Sequence, residues 1–125
     1  KKFHTYDGGG VVLAHMHNIP VGIITGENTE IVRRRAEKLQ VDYVFQGVRD
    51  KLEIAKEICA RLGIDLKDIA YIGDDLPDLS LLNSCGWSGM PSGAYIEDKI
   101  VVTYKTALKG GEGAFREFVE RILNA

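Results

Sequence analysis

Ile69-Ala70-Tyr71-Ile72-Gly73-Asp74-Asp75-Leu76-Pro77-Asp78 is an apolar run that stops at a glycine and turns acidic, with three carboxylates inside five positions. The apolar part reads as a short buried strand, and Gly73 lets the chain turn, so Asp74 and Asp75 fall at the strand's C-terminal edge. Open α/β sheets place their ligands at that edge. Like charges this close repel, and a cation is the usual way to hold them. All-oxygen ligands suit a hard ion such as magnesium. The competing reading is structural: Asp75 or Asp78 caps the following helix, expected from Leu76 to about Asn83.

Working outward, Ile19-Pro20-Val21-Gly22-Ile23-Ile24-Thr25-Gly26 is a second strand, which puts the Thr25 hydroxyl at its C-terminal edge. Asn28 is expected to cap a helix to about Leu39, with Val32, Ala36 and Leu39 on the buried face. Tyr43-Val44-Phe45 is a third strand. Lys51 opens a helix striped by Leu52, Ala55, Ile58, Cys59 and Leu62 and closed by Gly63 as a C-cap. A lysine in a first turn opposes the helix dipole, which points to a job such as holding a phosphate or a carboxylate; a solvated surface group is the plain alternative. Gly86-Trp87-Ser88-Gly89 and Ile100-Val101-Val102 are expected as two further strands, separated by a turn at Pro91 to Ala94. Phe115, Phe118, Val119 and Ile122 mark the buried face of a last helix after the loop Lys109 to Gly113.

Strands alternating with helices at this spacing predict a doubly wound α/β domain with a parallel sheet. Before the first of these strands, Phe3 to Tyr6 reads as a strand end, and Gly8-Gly9-Gly10 stands at the start of a helix running to His17 and Asn18. Glycines there cost helix stability. Either they allow a close backbone approach to a ligand or neighbouring segment, or they form a flexible loop. His15 and His17 point in different directions on a helix and do not share a metal.

The composition, with 45% hydrophobic and 27% charged residues among 125, is that of one globular domain. A formal net charge of -2 provides no basic field for nucleic acid. Arg33-Arg34-Arg35 reads as a solvated helix face. No membrane span or signal peptide is seen, so a cytoplasmic location is expected. Cys59 and Cys85 lack disulfide or metal spacing and read as core thiols.

Thr25 with adjacent amides, Lys51 and the acidic cluster together suit phosphoryl transfer, in which hydroxyl, amide and ammonium groups bind phosphoryl oxygens. Ile23-Ile24-Thr25-Gly26, Gly47-Val48-Arg49-Asp50-Lys51 and Gly73-Asp74-Asp75-Leu76-Pro77-Asp78 resemble, in order, the second, third and fourth motifs of the haloacid dehalogenase superfamily, and within it the capless sugar-acid phosphatases. Gly110-Gly111-Glu112-Gly113-Ala114-Phe115-Arg116-Glu117 is similar to the C-terminal loop and helix start of the 3-deoxy-octulosonate 8-phosphate enzymes. Glu27 after the Thr-Gly pair resembles the branch acting on 2-keto-3-deoxy-nonulosonate 9-phosphate, which is the favoured substrate on this ground; a first-turn helix acid is the alternative.

The resemblance implies that Thr25 hydrogen-bonds a phosphoryl oxygen, that Lys51 bridges the phosphoryl group and a nucleophilic aspartate, and that Asp74 ligates Mg2+. Asp75 and Asp78 would orient metal-bound water or Lys51. Gly26, Glu27, Gly110, Gly111 and Arg116 would meet the sugar-acid phosphate. It also implies a homo-tetramer, with the C-terminal segment reaching a neighbouring subunit. One motif is missing: no Asp-x-Asp-Gly follows an apolar strand, and Asp7-Gly8 lacks the strand before it. The expectation is therefore that residues 1–125 are an N-terminally shortened domain of haloacid dehalogenase type, lacking the central first strand between those ending at Thr25 and Gly73. Two buried strands would then carry unpaired backbone groups, and the 125 residues alone would not turn over. A phospho-receiver domain runs its acidic, hydroxyl and lysine residues in a different order. A degenerate module serving oligomerisation or regulation is the other alternative, against which the retained charged set speaks.

Overall fold

The computed structural model describes residues 5–111 and 113–125, with side chains from Gly8 onward, so Phe3, the Asp7 side chain and Glu112 lie outside the described residues. Thr5 and Tyr6 are not a strand end but the start of helix α1, Thr5–Met16. There follow β1 (Gly22–Ile24), α2 (Glu30–Lys38), β2 (Tyr43–Phe45), α3 (Lys51–Leu62), β3 (Ala70–Ile72), α4 (Leu79–Leu82), β4 (Trp87–Ser92), β5 (Tyr104–Lys109) and α5 (Ala114–Leu123). Short 3-10 turns at Leu66–Asp68 and Leu76–Asp78 precede β3 and α4.

All printed pairings are parallel, in two separate sheets: β1 with β2, and β3-β4-β5. The expected break in the sheet is visible here, because β1 and β3 are not hydrogen-bonded to each other. None of the described helices is long and apolar enough to cross a membrane.

The three glycines of α1 are explained by close approach to neighbours. A Cβ on Gly10 would stand 2.6 Å from Cδ2 of Phe115 in α5, and one on Gly8 2.9 Å from Cδ2 of Leu39. The resulting α1–α5 contact buries Val11, Ala14 and Val119 with Val21 in one apolar cluster; Leu82, Met90 and Ile96 form another.

Two expected boundaries moved. Thr29 rather than Asn28 caps α2, its extended backbone letting Oγ1 accept from Val32 N–H at 3.2 Å. The last strand is Tyr104–Lys109 and not Ile100 to Val102; Val101 is 96% exposed. The ladder is set by a reciprocal pair, in which Ser88 N–H donates to Thr103 Oγ1 at 3.0 Å and Thr103 N–H donates to Ser88 Oγ at 2.9 Å. An apolar triplet fixes no register by itself, whereas two directed hydrogen bonds do. At α3 the sequence reading holds closely: Asp50 caps its start, and Gly63 closes it in the left-handed region at φ 70°.

Candidate active site

Asp78 is the best-connected side chain behind the acidic turn. It is 1% exposed. Its Oδ2 accepts from the Asp74 and Asp75 N–H groups at 2.9 and 3.1 Å. Its Oδ1 accepts from Lys51 Nζ at 2.6 Å and from the Tyr71 hydroxyl. Burial pushes the Asp78 carboxyl up, but Lys51, Tyr71 and the Asp74 amide outweigh it and hold the group below the usual carboxylate range. The same packing explains Gly73, where a Cβ would stand 2.5 Å from the Asp78 Cβ.

Lys51 is the first residue of α3 and is buried. A cation there works against the helix dipole, and the Asp78 carboxylate supplies the compensating charge. Burial and the neighbouring Asp78 charge push the Tyr71 hydroxyl strongly upward, so it stays protonated and donates. Asp75 does cap the 3-10 turn, its Oδ1 accepting from Leu76 N–H at 2.7 Å. Both sequence readings of the acidic run thus find a residue: Asp75 caps, Asp78 ties Lys51 to the turn, and Asp74 is left at the strand edge.

A cavity of about 580 Å³ separates the two sheets, and Thr25, Glu27, Asp74, Gly110 and Gly111 all border it. The Thr25 Oγ1 accepts from Glu27 N–H at 3.1 Å, which leaves the hydroxyl hydrogen to donate. The structure thus brings Thr25, Glu27, Asp74 and the Gly110-Gly111 turn to one space, with Lys51 joined to Asp74 through Asp78. Gly26, Asp75 and Arg116 are not on the cavity wall. Arg116 is exposed and lies across α1, its Nη1 standing 3.1 Å from where a Gly9 Cβ would be.

The acidic run by itself is not a cation site. Among the described residues no group of three or more His, Cys, Asp or Glu side chains is placed to hold a metal. The reason is that four donors occupy Asp78 and the cap occupies Asp75. Asp78 thereby has a structural use, and the retained charge loses weight as an argument against a degenerate module.

Two contributors escaped the sequence reading. Tyr71 passed as an apolar strand residue, although a buried tyrosine hydroxyl needs a partner. Glu117 binds Tyr104 Oη at 2.6 Å and the Ala107 and Leu108 N–H groups at 2.8 and 3.0 Å, fixing the end of β5 against α5 just before the Gly110 turn.

A family model described as haloacid dehalogenase-like hydrolase matches residues 4–86, from α1 through the acidic turn. The chain belongs to the haloacid dehalogenase-like hydrolases. It is 34% identical over 125 residues to the 3-deoxy-D-manno-octulosonate 8-phosphate phosphatase of Haemophilus influenzae, with 100% of this chain and 69% of that protein covered. Among solved structures, a probable YrbI family phosphatase from Pseudomonas syringae superposes with a TM-score of 0.93 at 38% identity, covering 99% of this chain and 70% of that one. The Moraxella catarrhalis 3-deoxy-D-manno-octulosonate 8-phosphate phosphatase, in complex with magnesium, phosphate and KDO, superposes with a TM-score of 0.92 at 38% identity over 99% of this chain and 71% of that one. The haloacid dehalogenase-type fold and the phosphatase kinship expected from the motifs are therefore found. In this hydrolase family, the cavity between β1 and β3 lies where Thr25 and Asp74 leave the sheet.

Proposed function

We propose that this chain carries the phosphate- and metal-binding part of a magnesium-dependent phosphomonoesterase for a phosphorylated 2-keto-3-deoxy sugar acid. The observation that carries this reading is the meeting of Thr25 and Asp74 at one cavity, with Lys51 tied to the Asp74 turn by Asp78. In it, the Thr25 hydroxyl and the Gly26 amide donate to phosphoryl oxygens, and Lys51 Nζ keeps two further N–H donors for the phosphoryl group and the nucleophile. Asp78 holds Lys51 in place. Glu27, Gly110, Gly111 and Arg116 are assigned to the sugar acid, with Arg116 requiring a rotation or a second subunit to reach it.

Magnesium fits only in part. Asp74 offers one hard oxygen donor, and the remaining ligands are not among the described side chains. The ion, once completely ligated, would neutralise phosphoryl charge. The nucleophile belongs to the same unfilled part: an aspartate on a strand between β1 and β3 would attack phosphorus, releasing the sugar alcohol, and water would then hydrolyse the aspartyl-phosphate to inorganic phosphate.

Octulosonate 8-phosphate is the first substrate to test, since it is named for the relatives; Glu27, on the cavity wall, supports nonulosonate 9-phosphate. The decisive assay compares phosphate release by the 125-residue chain with that by the same chain preceded by an apolar strand ending in Asp-x-Asp-Gly. Magnesium-dependent release from the second alone is expected. Release from neither, with the fold intact by circular dichroism, overturns the phosphatase reading and favours the degenerate module. Release from the first overturns the nucleophile assignment. Glu27→Arg should shift kcat/KM toward the octulosonate. The tetramer belongs to the same proposal; Val12 and Met16, exposed one turn apart on α1, offer it an apolar contact, and sedimentation measures it.

A further inference from the structure

The walls of the cavity are strand edges, and their hydrogen-bonding parity can be read off. In β1, Val21 O accepts from Tyr43 N–H at 3.2 Å and Thr25 N–H donates to Phe45 O at 2.9 Å. A residue's N–H and C=O point to one side of its strand, and successive residues alternate sides. Val21, Ile23 and Thr25 therefore address β2, while Gly22 and Ile24 turn their backbone groups to the cavity. In β3, Ile69 O accepts from Trp87 N–H at 3.2 Å and Gly73 N–H donates to Gly89 O at 3.1 Å. Ile69, Tyr71 and Gly73 thus address β4, and Ala70 and Ile72 face the cavity.

All four outward-turned residues border that cavity, and among the described residues no ladder pairs them. Its remaining wall is apolar on both faces, with Val11, Val32, Phe115 and Phe118 among the lining side chains. Unsatisfied N–H and C=O groups on two flanking edges are costly in an apolar slot. A small ligand does not match their repeat along the strand direction, and a folded second copy can bring an edge but not a strand with both edges free.

We propose that this chain is a strand acceptor: it binds one extended apolar peptide segment from outside its own 125 residues. The guest runs parallel between β1 and β3 and completes the order β2-β1-guest-β3-β4-β5. Its N–H and C=O groups pair with Gly22 and Ile24 on one side and with Ala70 and Ile72 on the other. A strand buried on both faces is an uninterrupted apolar run, so the guest's chemistry is Val- and Ile-rich. Similar solved chains are longer, this chain covering 70% and 72% of two of them, so they carry further residues from which such a segment can come. The proposal rests on sheet geometry and not on the catalytic reading.

The probe is a synthetic Val-Ile-Val-Ile-Val peptide flanked by lysines and free of carboxylate side chains, titrated into the 125-residue chain. One-to-one binding by calorimetry is expected, with amide exchange at Gly22, Ile24, Ala70 and Ile72 slowed about tenfold or more. The same peptide with a central proline should do neither. Should the free peptide self-associate, the same segment tethered after Ala125 by a flexible linker must give the same four protections. Absence of protection at those amides in the tethered form, or a dimer by light scattering that excludes the peptide, overturns the proposal. Because the probe has no nucleophile, binding without phosphatase activity is the expected result, and a failure of the catalytic reading would leave it standing.

Discussion

The two strands that flank the cavity end in opposite ways. Behind β3, four donors fill one buried carboxylate, and a glycine, a lysine and a tyrosine are fitted around it. After β1, Thr25 and Glu27 are only half-buried and keep their polar groups beside the open cavity. Preorganised hydrogen-bond geometry is what electrostatic catalysis uses, so the β3 side is a finished half-site. The β1 side supplies the threonine and amides but depends on whatever occupies the slot.

The largest break in this comparison is Asp78→Ala. It leaves the buried Lys51 cation and two turn amides without their acceptor, and urea denaturation should show a loss of about 3–5 kcal/mol. A loss no larger than that of an exposed ion pair would mean that the β3 side is not locked. Gly73→Ala comes next, at about 1–3 kcal/mol, because its new Cβ and the Asp78 side chain compete for one space.

Acid sharpens the contrast further. The Asp78 carboxyl is depressed on folding, so its stabilisation is present above the unfolded carboxylate value and is lost as pH falls through the folded one. Stability followed by fluorescence from pH 5 downward should therefore decline in the wild type, and Asp78→Asn should flatten that part of the decline. Tyr71→Phe removes one donor of the four and should cost about 0.5–1.5 kcal/mol. Thr25→Ala, on the open side, should change stability by about 1 kcal/mol or less. If Thr25→Ala matched Asp78→Ala, the two sides would not differ as described.

Much of the site was readable because it is local. Asp50 before Lys51, Gly63 after Leu62 and Gly73 after an apolar run act within a turn or two, where capping and left-handed geometry are written in neighbouring residues. Lys51 was conspicuous for the same reason: a cation in a first turn is a local anomaly. Long-range partnership was not readable. The β5 register rests on Ser88 and Thr103, fifteen residues apart, and the capping switch at α2 follows from Thr29 N–H donating to Gln46 Oε1 at 2.9 Å. Nothing in the run around Tyr71 says that its hydroxyl meets Asp78.

By itself, then, the sequence determined the alternating α/β order, the strand edges that carry Thr25 and Asp74, and the motif order shared with the haloacid dehalogenase-like hydrolases, since each is set by short-range patterning. Tertiary structure alone decided that Asp78 serves Lys51 and the turn, and that three glycines bring α1 against Phe115 and Leu39. It also decided that the acidic run at Gly73 to Asp78 faces a strand-shaped slot across from Thr25. These depend on which distant groups share a buried space, and burial is a property of the whole packing.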